Sequence, residues 1–184
     1  MDDAADGGKV KERYNGSGAT VRGFNVEGRA AFTRWFELQA GVTLQQSRYK
    51  EPEFWSEDAE VPPVRRMFRT PDAYGYFTAS FKPVRNFTAD LSGTCTGSML
   101  VQHMAGSGVA QDVAVSTPSF FDMNIRLSYD VRIYKEITMQ LYGGVQNLFN
   151  AYQKDFDKGV DRDSGYIYGP SLPRSWVVGA KFSF

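Results

Sequence analysis

The chain has 184 residues, 42% hydrophobic and 23% charged, with 21 basic side chains balancing 21 acidic ones. That length suits one domain, and the charge balance leaves no basic footprint for nucleic acid. No stretch approaches the roughly 18 consecutive apolar residues of a transmembrane helix, which excludes a helical membrane protein but not one that crosses with strands. A mean hydropathy of −0.40 would by itself suggest a soluble protein, but aromatic content of 15%, with 18 glycines and ten tyrosines, favours β structure.

Residues 1–18, MDDAADGGKVKERYNGSG, have no apolar core of the kind a signal peptide carries. From Ala19 onward a period of two recurs, and a period of two marks a strand with unlike faces. Phe24, Val26, Gly28, Ala30 and Phe32 oppose Asn25, Glu27 and Arg29. Phe36, Leu38, Ala40, Val42 and Leu44 oppose Glu37, Gln39, Thr43 and Gln45, and Ala73 to Phe81 repeats the scheme against Tyr74, Tyr76, Thr78 and Ser80. A fourth run sets Phe87, Leu91, Cys95, Met99 and Val101 against Thr88, Asp90, Ser92, Thr94 and Ser98. The fifth sets Phe121, Met123, Ile125, Leu127 and Tyr129 against Asp122, Asn124, Arg126, Ser128 and Asp130. Ile137 to Val145 is the sixth, and Trp176, Val178, Ala180, Phe182 and Phe184 form the apolar parity of the seventh.

Three arguments favour a membrane barrel over a soluble β-sandwich or a lipocalin-like binder. The runs persist for about ten residues or more, the length a tilted strand needs to cross a bilayer, whereas soluble strands run about 5–6. Every charge inside the fourth, fifth and seventh runs sits on the polar parity. A lysine or arginine facing lipid at mid-bilayer costs roughly 2–4 kcal/mol, so that distribution is the one lipid would impose. Links near 33–36, 83–86 and 134–136 are short, while those near 50–71, 102–118 and 150–172 are long and polar. Such alternation matches periplasmic turns and external loops.

The stretch Tyr142 to Phe156, with Asn147-Leu148-Phe149-Asn150, and then Gly169-Pro170, Pro173-Arg174 and a terminal Phe184, resembles the C-terminal end of TonB-dependent outer-membrane receptors. Ser119-Phe120-Phe121-Asp122 and Val21-Arg22-Gly23 also resemble that family's strand openings. The resemblance implies an all-β, antiparallel transmembrane barrel segment of about seven long amphipathic strands, residues 19–184, with residues 1–18 the end of an external loop. A family member also carries a signal peptide, a TonB box, a plug domain and a barrel of about twenty-two strands. The expectation is therefore a fragment of an incomplete barrel. Its parent would sit in the outer membrane of a Gram-negative bacterium and import a scarce nutrient such as a siderophore-iron complex, haem or cobalamin. A passive porin-type channel is the alternative.

The partners implied are outer-membrane lipid, the nutrient, TonB through the parent's N-terminal region, and the barrel-assembly machinery, which would read Trp176, Val178, Ala180, Phe182 and Phe184 as a signal. A ligand role falls to Trp55, Arg65, Arg66 and Arg69 in the segment 50–69, where charge and stacking could hold an anionic chelate. Asp155, Asp157, Asp161 and Asp163 lack calcium-loop spacing and read as a solvated external loop, and the lone His103 reads as loop surface. A single cysteine, Cys95, allows no intramolecular disulfide and no cysteine-based zinc site. No HExxH, GxxxxGK[ST] or GxSxG motif is present, so no enzyme and no cofactor is expected.

Overall fold

In the computed structural model, residues 16–184 are described, and their regular elements are all strands, with no helix among them. The expectation of an external loop over 1–18 lies, for residues 1–15, outside the described residues. The strands are β1 (Ala19–Thr33), β2 (Phe36–Glu53), β3 (Val64–Arg66), β4 (Ala73–Val84), β5 (Phe87–Thr96), β6 (Leu100–His103), β7 (Val113–Ser116), β8 (Phe120–Tyr134), β9 (Ile137–Gln146) and β10 (Ser175–Ser183). One antiparallel sheet runs β1-β2-β4-β5-β8-β9-β10, with β3 added beside β2, and β6 and β7 form a separate hairpin. The seven long strands of the sheet are the seven amphipathic runs of the sequence. The sheet does not close: among the described residues β1 and β10 each have one bonded neighbour.

Register keeps the parities aligned across the sheet. Phe24 pairs with Leu44, Phe77 with Gly93, Leu91 with Ile125, Tyr129 with Leu141, and Phe182 with Met139, so the apolar residues share one face. That face is uncovered: Phe24 is 65% exposed, Leu44 52%, Leu127 44% and Val178 86%. A water-soluble sandwich would bury such side chains against a second sheet. Here the exposed face needs an apolar solvent.

At the short-turn end, rings gather. Phe32 stacks on Phe36 at 5.6 Å between centroids, and Trp35 meets Phe81 edge-on at 5.1 Å. Each of these turns has two residues between strands, and Lys135 adopts φ 44° in the one joining β8 to β9. Several strand pairs fit together by glycine on one side and a ring on the other. A Cβ on Gly41 would come within 2.7 Å of the Tyr76 ring of its cross-strand partner, and Phe77 and Tyr142 cover Gly93 and Gly179 in the same way. The missing Cβ lets the ring lie flat on the neighbouring strand.

The opposite end carries the long links, and two of them hold strands. The 50–71 link contains β3, and the 102–118 link contains β7. The fourth run is also shorter than its sequence parity: β5 stops at Thr96, and Leu100 to His103 turn into the β6–β7 hairpin. The alternation through Gly97, Met99 and Val101 spans two elements because both are extended, and parity alone does not register the change of direction.

Candidate functional site

Three parts of the molecule offer chemistry: the polar face of the sheet, the layer of long links at one end, and the terminal strand. On the polar face, Asn25 donates to Thr43 at 2.7 Å, Gln39 to Glu27 at 2.9 Å, and Ser80 to Asp90 at 2.6 Å; Arg29 is ion-paired with Glu37. Each of these is a cross-strand partnership dictated by register. A cavity of about 410 Å³ opens on this face, lined by Asp90, Ser92, Asn124, Arg126, Tyr142 and Gln146 among others. The Arg126 guanidinium stands 4.3 Å over the Tyr142 ring and 3.4 Å from the Gln140 amide oxygen. Val177, the apolar residue on the polar parity of the last run, lines the same cavity.

The link layer holds the buried core of the described residues. Val101, Tyr166 and Tyr168 are buried together, with Met99, Val115 and Phe120 packed around them. Most polar groups inside this layer are paired, with the buried Arg66 Nε an exception among its described residues. His103 Nε2 lies 2.9 Å from Asp157 Oδ1, and its ring stacks on Tyr166 at 3.7 Å. Asp155 accepts from the Tyr166 hydroxyl at 2.8 Å and the Tyr168 hydroxyl at 2.5 Å. Gln153, 1% exposed, donates to the Tyr166 carbonyl and accepts from the Tyr168 N–H, closing the segment on itself.

These contacts correct two expectations. His103 is not loop surface: it ends β6 and is 6% exposed, because Asp157 satisfies its ring nitrogen. The acidic run is not simply a solvated loop either. Asp157 and Asp163 bind inward groups: Asp163 N–H donates to Asp157 at 3.1 Å and Met104 N–H to Asp163 at 2.8 Å. Among the described residues no cluster of three or more His, Cys, Asp or Glu side chains is placed to hold a metal ion.

Hydrogen bonds set the ionisation of this layer. The contact with His103 outweighs desolvation and holds Asp157 below the usual carboxylate range. Burial on its own would raise Asp155, but the two tyrosine hydroxyls together bring it below its ordinary value. Tyr166 is pushed up to about 12, first by burial and then by its bond to Asp155. Tyr168 is raised for the same two reasons in the same order.

The four residues read as ligand candidates make separate internal contacts. Trp55 Nε1 donates to the Pro62 carbonyl at 3.3 Å, and its ring meets Phe68 edge-on. Arg66 donates to the Ser98 carbonyl at 2.6 Å and pairs with Asp72 at 3.0 Å. Arg69, at φ 56°, reaches the carbonyls of Gly165 and Ile167 and so ties the β3–β4 link to the last long link. Arg65 is exposed over 59% of its side chain, with a 3.2 Å bond to the Lys50 carbonyl and a loose 3.8 Å approach to Glu51.

The Asn-Leu-Phe-Asn element proves to be a corner. Asn147 and Asn150 both take positive φ, 49° and 54°, which asparagine tolerates better than most residues. Asn147 donates to the Ala151 and Leu172 carbonyls and accepts from the Ala151 N–H, while Asn150 accepts from the Arg174 N–H. The chain leaving β9 is thereby tied to the chain entering β10. Trp176, Val178, Ala180 and Phe182 follow on the apolar face of β10, and Phe184 lies one residue beyond the strand, 93% exposed. Cys95 is exposed on the same apolar face, beside Phe77 and Phe121.

No protein-family model matches the chain, and no curated protein matches it. Solved structures do. The ferric-catecholate import receptor Fiu from E. coli K12 superposes with a TM-score of 0.61 over 88% of this chain, at 20% identity. The siderophore receptor PiuA from Acinetobacter baumannii gives 0.60 over 88%, at 17% identity. In fold, the chain matches a section of the β-barrel of these two proteins. It spans about a fifth of the length of each receptor, 20% and 21%. The unclosed sheet follows, since a barrel section has two edges that further strands would cover. Within a barrel section the exposed apolar face is the outer face and the polar face is the lumen wall.

Proposed function

We propose that these residues form part of the wall and external loops of a TonB-dependent outer-membrane receptor of a Gram-negative bacterium, one that imports a scarce nutrient, with a siderophore-iron complex the first class to test. The carrying observation is the inside-out sheet: bulky apolar residues stay exposed along one face of seven long strands while the charges meet across the other. The similarity to the two siderophore receptors supports the choice of cargo. The wall and loops serve the whole receptor; the polar face is the surface past which cargo and plug would sit.

The terminal strand serves assembly in this reading. Its outer edge is unpaired among the described residues, and its apolar side chains other than Val177 share one side, which is what capture by strand addition requires. For the ligand, the loop candidates narrow to Arg65, since the exposed Arg69 already engages two carbonyls with its guanidinium, with Trp55 as a half-packed neighbour in the same link.

Deleting the gene region that encodes this chain and measuring uptake of labelled ferric catecholate tests the transport reading. It predicts loss of an uptake component that also disappears in a strain without TonB. Unchanged uptake across siderophore, haem and cobalamin probes would refute it.

A further inference from the structure

The three long links pack on one another. The first, residues 54–72, follows β2; the second, 97–119, joins β5 to β8; and the third, 147–174, joins β9 to β10. Between the first and the second, Ser56 Oγ donates to Asp112 at 2.6 Å, Phe68 forms a β-bridge with Leu100, and the Arg69 N–H donates to the Leu100 carbonyl at 2.8 Å. The second meets the third where His103 lies against Asp157 and Tyr166, and where the Met104 N–H donates to Asp163 at 2.8 Å. Ser107 adds bonds to the carbonyls of Lys158 at 2.6 Å and Asp161 at 2.9 Å, and Gly106 lies so close to the Asp161 carbonyl oxygen that a Cβ would collide with it. The Arg69 guanidinium closes the ring, donating to the carbonyls of Gly165 and Ile167 in the third link.

In each case one link supplies the partner that a polar group of another needs. The side chains of His103 and Asp157 are 8% and 4% exposed, and they come from different links. Asp112 accepts from Ala105 in its own link and from Ser56 in the first. The small apolar interior is shared too: Met99, Val101 and Val115 come from the second link, Tyr166 and Tyr168 from the third. A link that swung away alone would leave its neighbours half-paired and their interior open. Local opening proceeds in cooperative units drawn around such shared contacts.

We propose that the three long links form one preformed rim that opens and moves as a single body, not as three independent loops. The body stands on the contacts above, whereas its use rests on the receptor-wall reading. In that use, cargo reaching this side of the mouth meets Arg65 and Trp55 on a finished surface, and a ligand that orders or displaces one link acts on all three.

Amide exchange of the full chain in phosphatidylcholine vesicles, read by mass spectrometry over 54–69, 100–116 and 151–168, tests the body. Ser56→Ala removes a bond between the first and second links, and Ser56 shares no hydrogen bond with the third. The variant should nevertheless speed exchange about threefold or more in 151–168 as well as in the other two segments, and leave β8 and β9 unchanged. His103→Ala acts from the other side and should speed exchange in 54–69, with which His103 shares no hydrogen bond. In the parent chain at raised pH, where opening sets the rate, the three segments should pass to the exchanged mass at one common rate. Acceleration confined to the links that the altered residue touches overturns the single body, as does acceleration that spreads equally into β8 and β9, or three unrelated opening rates in the parent. Rapid exchange of β8 and β9 in the parent chain is a separate failure: it overturns the receptor-wall reading and the rim's use, because strands that cross a bilayer are shut off from water.

Discussion

The strand wall and the link layer above it are stabilised in opposite ways. In the wall, backbone ladders and cross-strand polar pairs hold seven strands together, and the largest side chains face outward with nothing of the protein upon them. In the link layer, the order is that of a soluble protein: Val101, Tyr166 and Tyr168 are buried, and His103, Gln153 and Thr117 are buried with them. The difference shows which solvent each region expects. In the receptor-wall reading an apolar outer face is stable where lipid replaces water, whereas the links, surrounded by water, build a small interior in which most polar groups are paired.

That contrast can be broken from the wall side with the greatest effect. Leu127→Arg puts a guanidinium on the outer face at mid-strand and should cost roughly 2–4 kcal/mol, against little change for a polar substitution of Arg126 on the lumen side. Urea unfolding of chains inserted in vesicles would give the two values. Next in size is Gly144→Ala. A methyl there would run into the Ile125 carbonyl oxygen, which is backbone and cannot turn away, so a loss of about 1–3 kcal/mol is expected in the same assay.

The link layer should respond separately. His103→Ala removes the ring stacked on Tyr166 and leaves Asp157 without its side-chain donor. Amide exchange in β6, β7 and residues 151–168 should accelerate about tenfold or more, while the exchange of β8 and β9 stays as it was. Equal acceleration in both regions would show that the layer and the wall unfold together.

The smallest effects come from pH. Asp155 and Asp157 are held below their ordinary values, so their contribution is present above an ordinary carboxylate pKa of about 4 and is lost as pH falls through the depressed one. The layer should therefore be indifferent between pH 7 and about 5 and loosen below about 4. Tyr166, raised to about 12, contributes fully below its ordinary pKa near 10 and loses that contribution as pH rises through about 12. Near-ultraviolet circular dichroism of the tyrosines would follow both transitions.

The two regions were also unequally legible in the sequence. The wall could be read because period two states which face each residue takes, and because apolar runs this long on one parity match the thickness of a bilayer; β1, β2, β4, β8, β9 and β10 follow that parity closely. The link layer could not, because its contacts join residues far apart without any repeat: His103 and Asp157 are 54 positions apart, and Arg69 reaches Gly165 across 96. A lone histidine and a run of aspartates carry no sign that they will meet. The one signal within reach was local, in Gln153 and the Tyr166, Tyr168 pair, whose spacing of two puts both rings on one side of an extended segment.

The most direct test of the inside-out wall is a scan of β8. With Cys95 replaced by serine, single cysteines from Asp122 to Val131 carry a spin label on the full chain in phosphatidylcholine bilayers, and collision with oxygen, which partitions into lipid, is compared with collision with a water-soluble nickel chelate. A wall with lipid on one face and water on the other predicts a strict alternation: oxygen wins at 123, 125, 127, 129 and 131, and the chelate wins at 122, 124, 126, 128 and 130. Equal access of the chelate to both parities would contradict it and return the sheet to water.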